Sequence, residues 1–271
     1  IIAVELHKKK LGKVANGLPF MLFDLELYPY YAPLAAEIEH VRFGSTGDPL
    51  NGLTITWRNN GSDDMIEWGF TSGYEQGQFT TGDDVVRRSS YSTDYFYDYT
   101  FPTVNPNSTI YYRIYDSNQS EWTSQKTFET ASDPASNQFT LLAMGDSRTN
   151  VSDWQTVANL ANTENADMVM FTADIVNDGS SNSNWDSWFN YGTQFIEDKL
   201  FYHSIGNHEC YGNGENIYPE IYTLPENPSN TEYYYYFTYG DALYICLDSE
   251  NAGSSTQYNW LLDVLQNNQD K

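Results

Sequence analysis

The 271-residue chain is poor in basic residues and in cysteine, and it lacks a long apolar run. Its 13 lysines and arginines face 37 aspartates and glutamates, which gives a net charge of −24. Nucleic acid would be repelled by this charge, so a nucleic-acid-binding function is excluded. No run reaches the roughly 18 apolar residues of a transmembrane helix, so no membrane span is predicted. The two cysteines, Cys210 and Cys246, are compatible with one disulfide and equally with two buried thiols.

Three short apolar runs each end in a polar turn. The turns are Gly145-Asp146-Ser147-Arg148, Ala173-Asp174 and Gly206-Asn207-His208-Glu209. Such runs are typical of buried strands, and the helical spacing between them predicts a β-α-β-α-β alternation over 139–207. Ligands of open α/β sheets bind at the carboxyl ends of the strands. Asp146, Asp174 and Asn207 are therefore predicted to converge, and their side-chain oxygens suit divalent cations.

The turns and the sequence after them resemble the calcineurin-like metallophosphoesterases, and within them the purple acid phosphatase-like branch. Glu232–Gly240, Ala242–Asp248 and Gln257–Leu261 are similar to that family's YY-F-YG hairpin, its LD strand end and its Q-x-x-W-L helix. The resemblance implies a phosphate-ester hydrolase with two divalent or trivalent ions (Fe, Zn or Mn) in the complete protein. It gives Asp174 a position bridging the metals, Asp146 and Asn207 one metal each, and His208 a position near the leaving oxygen.

Several positions depart from the family's pattern. The two later histidine motifs are absent, because all four histidines lie at or before position 208. Arg148 stands where members have a histidine or glycine, and Asn177 stands where purple acid phosphatases have a tyrosine ligand. The planar guanidinium of Arg148 suits phosphate oxygens, and a surface ion pair is the alternative. We therefore expect a domain that is incomplete at its C-terminus and a chain that alone is inactive, with fewer than two metals or none.

Upstream of residue 132 the pattern is all-β. Alternating strands between Leu53 and Thr130, separated by Asn, Gly and Pro turns, predict a β-sandwich of about 100 residues. The segment Thr103–Arg113 resembles a turn and strand of the fibronectin-III-like domain of purple acid phosphatases. The predicted organisation is an arm at 1–34, a fibronectin-III-like (Ig-like) β-sandwich at 35–131, a linker at 132–138 and the N-terminal part of an α/β metallophosphoesterase domain at 139–271.

The arm differs in charge from the remainder of the chain. Its four lysines against three acidic residues give +1, which leaves −25 for residues 35–271. Ile1–Leu6 has strand propensity, and Leu18–Leu27 is apolar enough to need burial. These features predict that the arm packs on another copy of the chain as an added strand and forms a homo-oligomer or filament. The alternative function is therefore an extracellular structural subunit with a degenerate phosphoesterase scaffold.

Four N-x-S/T sequons bear on localisation. They lie at Asn60, Asn107, Asn118 and Asn150. A chain this rich in asparagine, serine and threonine contains some sequons by chance. Together with the low lysine content and 16% aromatic residues, they predict a secreted or cell-surface glycoprotein.

Overall fold

The structure is a computed structural model that describes residues 38–133, 135 and 138–269, together with the backbone of strands within residues 2–29. The chain divides into two compact units, Ile1–Glu37 and Ile38–Lys271. In the first unit, β1 (Ile2–Lys8) pairs antiparallel with β4 (Phe23–Pro29), and β2 (Gly12–Lys13) pairs with β3 (Pro19–Phe20). The first strand of the predicted arm thus has a partner inside the arm, and packing on another copy stays a prediction.

The second unit begins with antiparallel strands in two sheets. The strands are β5 (Glu39–Ser45), β6 (Leu53–Asn59), β7 (Met65–Gly69), β8 (Gly77–Thr80), β9 (Val85–Ser89), β10 (Tyr95–Thr100), β11 (Thr109–Asp116), β12 (Glu121–Trp122) and β13 (Lys126–Glu129). One sheet has the order β5-β6-β10-β9, and the other has the order β12-β11-β7-β8, with β13 also paired to β11. In β11 buried and half-buried residues alternate, as a strand with one face on a core requires.

Aromatic side chains fill the space between these two sheets. Phe43 of one sheet stacks on Phe128 of the other, with ring centroids 3.7 Å apart. Trp68 donates its indole N–H to Tyr99 Oη across the same space, at 2.9 Å. Aromatic rings bury large areas, and a buried indole or phenol usually finds a hydrogen-bond partner. The two sheets therefore pack face to face over one core.

The segment Thr123–Thr130 has the pattern of one strand, of which β13 occupies only Lys126–Glu129. The pairing with β11 breaks after β12 and resumes at β13. At the break, the side chain of Thr123 accepts the hydrogen bond from Ile114 N at 3.0 Å. A hydroxyl thus replaces the backbone carbonyl that a continuous ladder would use.

The remainder of the second unit contains a parallel sheet with helices. Its elements are β14 (Leu141–Met144), α1 (Val151–Ala161), β15 (Met168–Thr172), α2 (Asn182–Asp198), β16 (Phe201–Ser204), α3 (Gly214–Ile221), β17 (Tyr235–Tyr239), β18 (Ala242–Cys246) and α4 (Ser255–Asn267). Strands β14, β15 and β16 pair in parallel, in that order, and β17 and β18 form a separate hairpin. The predicted alternation of strands and helices over 139–207 is confirmed.

The aromatic residues of the helices are buried as predicted. Trp185, Trp188 and Phe189 of α2 are at most 2% exposed, and Trp154 of α1 stacks on Trp188 with centroids 5.3 Å apart. Because Trp154, Ala158 and Ala161 form the buried stripe of α1, their neighbours Val157 and Leu160 lie outside it and are 48% and 68% exposed. The helical spacing of Trp154, Val157, Leu160 and Ala161 alone would predict a wider buried stripe than the structure has.

The run Tyr233–Tyr236 has the composition of a buried strand, but β17 starts at Tyr235 and Tyr236 is 40% exposed. A two-stranded hairpin leaves one face uncovered, so alternate residues of β17 reach solvent. In α4, Trp260 and Val264 are buried but Leu265 is 47% exposed. The buried stripe of α4 is therefore narrow, as it is in α1.

Two arginines of the first sheet bind the end of α3. Arg42 donates from Nη2 to Ile221 O, and Arg88 donates from Nη1 to Glu220 O. Cations near the last carbonyls of a helix satisfy orphan acceptors and oppose the helix dipole. Arg42 also lies over the ring of Phe96, at 4.3 Å, and its burial lowers the pKa of the guanidinium to about 9. The sheets therefore fix the position of the helix that follows the Gly206–Glu209 turn.

The cysteines do not form a disulfide in this structure. Cys246 is buried, Cys210 is half-buried, and both are free thiols. Of the two readings that the sequence allowed, the pair of thiols is the one observed. Among the helices in the described part of the chain, none combines the length and the apolar character that crossing a membrane requires.

Candidate functional site

The three polar turns predicted to form a site lie together at the carboxyl ends of β14, β15 and β16. Asp146 N donates to Ala173 O at 3.0 Å, which joins the first turn to the second. Ser147 Oγ donates to Ile175 O at 2.8 Å and accepts from Trp188 Nε1 at 3.1 Å. The turn after β14 is therefore held by both β15 and α2.

Three residues of the first two turns have left-handed backbone. Asp146, Ala173 and Asp174 have φ values of 58°, 61° and 52°. Such values are uncommon for residues other than glycine and cluster at functional sites. Position 206 requires glycine for a steric reason, because a Cβ at this position would lie 2.5 Å from Asp174 Oδ1. The backbone is thus bent so that the Asp174 carboxylate can lie directly against the third turn.

Glu209 holds the second and third turns together from beneath. Its side chain is fully buried, and its two oxygens accept from four backbone N–H groups: Asp174 N at 2.9 Å, Ile175 N at 2.8 Å, Val176 N at 3.2 Å and Gly206 N at 3.0 Å. Burial raises the pKa of this carboxyl, although the four donors favour its ionised form. Glu209 is the last residue of the third turn, and its sequence context gives no sign of this role.

Arg148 lies between the two predicted metal-binding carboxylates. Its Nε is 2.6 Å from Asp146 Oδ1 and 3.5 Å from Asp174 Oδ2. Both carboxylates therefore approach one nitrogen atom, which brings Asp146 and Asp174 into one small site. The Asp146 side chain is 68% exposed, whereas that of Asp174 is 19% exposed. The site is open on the Asp146 side and closed on the Asp174 side.

His208 completes the surroundings of Arg148. Its Nδ1 is 2.7 Å from the backbone oxygen of Asn177, so Nδ1 carries the proton that is donated to this acceptor. The unprotonated Nε2 of the neutral ring then faces Arg148 Nη1, with which it is in contact. The backbone N–H of His208 donates to Asp174 Oδ1 at 3.3 Å. The ring is thus oriented, with one nitrogen on Asn177 and the other toward the centre of the site.

Asn207, the third predicted ligand, lies on the same turn as His208. Its Nδ2 donates to Tyr211 Oη at 3.1 Å. Within the described residues, no three His, Cys, Asp or Glu side chains are grouped closely enough to hold a metal ion. The structure therefore brings Asp146 and Asp174 together with Arg148 between them, and the metal-binding roles of Asp146, Asp174 and Asn207 stay predictions.

Two clefts flank the turn that carries Asp146 and Arg148. One, of about 380 Å³, is lined by Arg148, Asn177 and Asn184 among others. The other, of about 390 Å³, is lined by Asp146, Trp154 and Phe171 among others, and is more apolar. A group bound between Asp146 and Arg148 is therefore accessible from both sides of the turn.

The four sequon asparagines lie on the surface, in different settings. Asn60 and Asn107 are exposed, and Asn107 has left-handed backbone. Asn118 donates from Nδ2 to Asn59 Oδ1 at 2.8 Å. Asn150 is the N-cap of α1, where its Oδ1 accepts from Ser152 N at 3.1 Å. Glycosylation of these residues stays a prediction.

Residues 139–270, which contain this site, match the family model of the calcineurin-like phosphoesterases. This segment is a calcineurin-like phosphoesterase domain. The match includes all three turns of the site and the hairpin and helix that follow them. It confirms the resemblance that the sequence motifs indicated for this part of the chain.

Solved structures extend the likeness to the strands before the phosphoesterase domain. A purple acid phosphatase isolated from yellow lupin (Lupinus luteus) seeds superposes with a TM-score of 0.67 at 16% identity, covering 92% of this chain and 51% of that one. PhoD superposes with a TM-score of 0.57 at 13% identity, covering 80% of this chain and 53% of that one. No curated protein matches the chain. At these identities the likeness concerns the fold, and the chain spans about half the length of these two structures.

Proposed function

We propose that the protein is a metal-dependent phosphate-ester hydrolase of the purple acid phosphatase-like type, with a fibronectin-III-like β-sandwich before its phosphoesterase domain. One observation carries the proposal. The carboxylates of Asp146 and Asp174 meet around a single cationic nitrogen at the carboxyl edge of the parallel sheet. That edge is where open α/β folds bind ligands. The family match favours this function over a structural subunit.

The donor set fits a hard cation once Arg148 has moved away. Asp146 and Asp174 supply carboxylate oxygens, and Asn207 supplies an amide oxygen from the adjoining turn. Oxygen ligands of this kind suit Mn²⁺ and Mg²⁺, and carboxylates also bind Zn²⁺ and iron. The bound ion would lower the pKa of a coordinated water and neutralise charge on the phosphate.

The protein's own residues would orient the ester and move a proton. His208 is held at Nδ1 by Asn177 O, so Nε2 is the nitrogen that can donate to a leaving oxygen when protonated. Arg148 carries a planar set of N–H donors that matches phosphate oxygens. Glu209 acts on the reaction only through the backbone that it holds, because its carboxylate oxygens are occupied by the four N–H groups beneath the turns.

The test is metal binding and ester hydrolysis by Asp174→Asn, with Asp263→Asn as the control. Asp263 is exposed on α4 and carries the same charge, so the control removes one negative charge at a distance from the site. We expect calorimetry to detect Mn²⁺ binding by the parent and the control, and at least a tenfold loss in Asp174→Asn. Hydrolysis of p-nitrophenyl phosphate should require Mn²⁺ wherever it is observed. Equal Mn²⁺ affinity in all three proteins would refute the proposal.

We also propose that the protein is secreted or displayed on the cell surface and glycosylated. The support is the set of surface sequons and the low lysine content. Asn107 is the best acceptor, since Asn60, Asn118 and Asn150 use their side chains in hydrogen bonds. Expression through a eukaryotic secretory pathway should give a mass that a glycosidase reduces. A mass that the enzyme leaves unchanged would argue against glycosylation.

A further inference from the structure

We infer that Arg148 is a built-in competitor of the metal, because its guanidinium occupies the position of the cation between Asp146 and Asp174 and has to leave when an ion binds. The inference rests on the proposed function and adds a form of regulation to the same site. It concerns a residue that the family pattern fills with histidine or glycine, so it is a property of this chain's own sequence.

The contacts of Arg148 come from all three turns of the site. Its Nε is 2.6 Å from Asp146 Oδ1 on the first turn and 3.5 Å from Asp174 Oδ2 on the second. Its Nη1 contacts His208 Nε2 on the third. The two carboxylate oxygens have lone pairs that a metal ion would use, and His208 Nε2 is the nitrogen assigned to the leaving oxygen. The guanidinium is therefore placed where both proposed carboxylate ligands and the proposed proton donor point.

A guanidinium at this position excludes a metal ion for two reasons. Arginine has donors and no acceptor, so it cannot become a ligand itself. Its positive charge is also permanent at ordinary pH and would repel a divalent ion a few ångströms away. Metal binding therefore has to break the contacts of Arg148 with Asp146, Asp174 and His208, and the apparent affinity is reduced by that cost.

The surroundings allow this exchange. The Arg148 side chain is 27% exposed and that of Asp146 is 68% exposed, so their ion pair lies at the surface, where such pairs are weak. Arg148 itself lines the cleft of about 380 Å³ beside the turn, which has room for the displaced guanidinium. Displacement of Arg148 also frees His208 Nε2, so binding of the metal is coupled to the availability of His208 as a proton donor.

The test compares Mn²⁺ affinity in Arg148→Met, Arg148→Lys and the control Arg87→Met by calorimetry. Methionine keeps an unbranched side chain and removes both the charge and the N–H donors. Arg87 is exposed on β9, so its loss changes the net charge of the chain by the same amount without touching the site. We expect Arg148→Met to bind Mn²⁺ roughly tenfold more tightly than the parent, Arg148→Lys to lie between the two, and Arg87→Met to match the parent.

A second measurement reports on Arg148 directly. In the metal-free protein the Nε–H of Arg148 should exchange slowly with solvent, because it is bonded to Asp146; its NMR signal is assigned by its loss in Arg148→Met. Addition of Mg²⁺, which is diamagnetic, should accelerate this exchange. Mn²⁺ affinity that is equal or weaker in Arg148→Met would overturn the competition alone, provided that Asp174→Asn still abolishes binding. Failure of every protein to bind Mn²⁺ would overturn both the competition and the proposed function.

Discussion

Replacement of Glu209 by glutamine should destabilise the protein although the two side chains have the same shape. The carboxylate of Glu209 accepts from four backbone N–H groups, two at each oxygen. Glutamine retains one acceptor oxygen and puts an NH₂ group in place of the other. Two backbone donors would then face a donor, in a position from which water is excluded.

The expected magnitude follows from those two donors. A buried donor left without an acceptor costs about 1–3 kcal/mol, so the two donors in Glu209→Gln should lower the free energy of unfolding by about 2–6 kcal/mol. This is a large part of the roughly 5–15 kcal/mol that stabilises a typical domain. The control is Glu250→Gln on the exposed loop before α4, for which we expect a change below about 0.5 kcal/mol.

Urea unfolding followed by circular dichroism measures both variants, and hydrogen exchange locates the effect. The amides of Ile175 and Val176 both donate to Glu209 Oε1, and those of Asp174 and Gly206 donate to Oε2. One of these two pairs should lose protection in Glu209→Gln while strands β6 and β10 keep theirs. A variant as stable as the parent, with all four amides still protected, would show that Glu209 does not hold the turns.

Three further outcomes are expected. Ala173→Gly should raise the free energy of unfolding by about 0.5–1 kcal/mol, because glycine accepts the φ of 61° without strain; unchanged or lower stability in chemical denaturation would contradict this. Burial raises the pKa of Glu232 to about 8, so the contribution of Glu232 to stability should be greatest below about pH 4.5 and fall as the pH rises to about 8, by up to about 1.4 kcal/mol per pH unit. Glu232→Gln should remove that fall and Glu226→Gln, at an exposed site, should keep it; parallel stability–pH curves for both variants would refute the assignment. Deletion of 1–34 should reduce the assembly state measured by sedimentation, and an unchanged state would rule out an intermolecular role of the arm.

The parts of the fold that the sequence predicted depend on local signals. The strands of the parallel sheet are short apolar runs between polar turns, so their existence and order could be inferred without knowledge of the rest of the chain. Asp146 and Asp174 could be brought together for the same reason, since parallel strands end at one edge. Strands β8 and β9, by contrast, lie at sheet edges and contain one buried residue between them, Val85, so they lack the apolar alternation that indicates a strand.

The parts that it did not predict depend on tertiary contacts. Nothing in the Gly206–Glu209 motif shows that Glu209 turns inward and accepts from two other segments. The position of Arg148 between two carboxylates likewise requires the three turns to be assembled first. The exposed side of α1 could not be read from its sequence, because the width of a helix's buried stripe is set by the elements that pack on it.

The arginine cap on α3 restricts how the chain can be divided into fragments or recombined with relatives. Arg42 and Arg88 come from strands β5 and β9, but the carbonyl oxygens that they bind, Ile221 O and Glu220 O, belong to the helix after the Gly206–Glu209 turn. A phosphoesterase segment transplanted without those strands would carry a helix end with acceptors and no donors. Recombination between relatives should therefore exchange the two regions together, or else supply a new residue to close the helix.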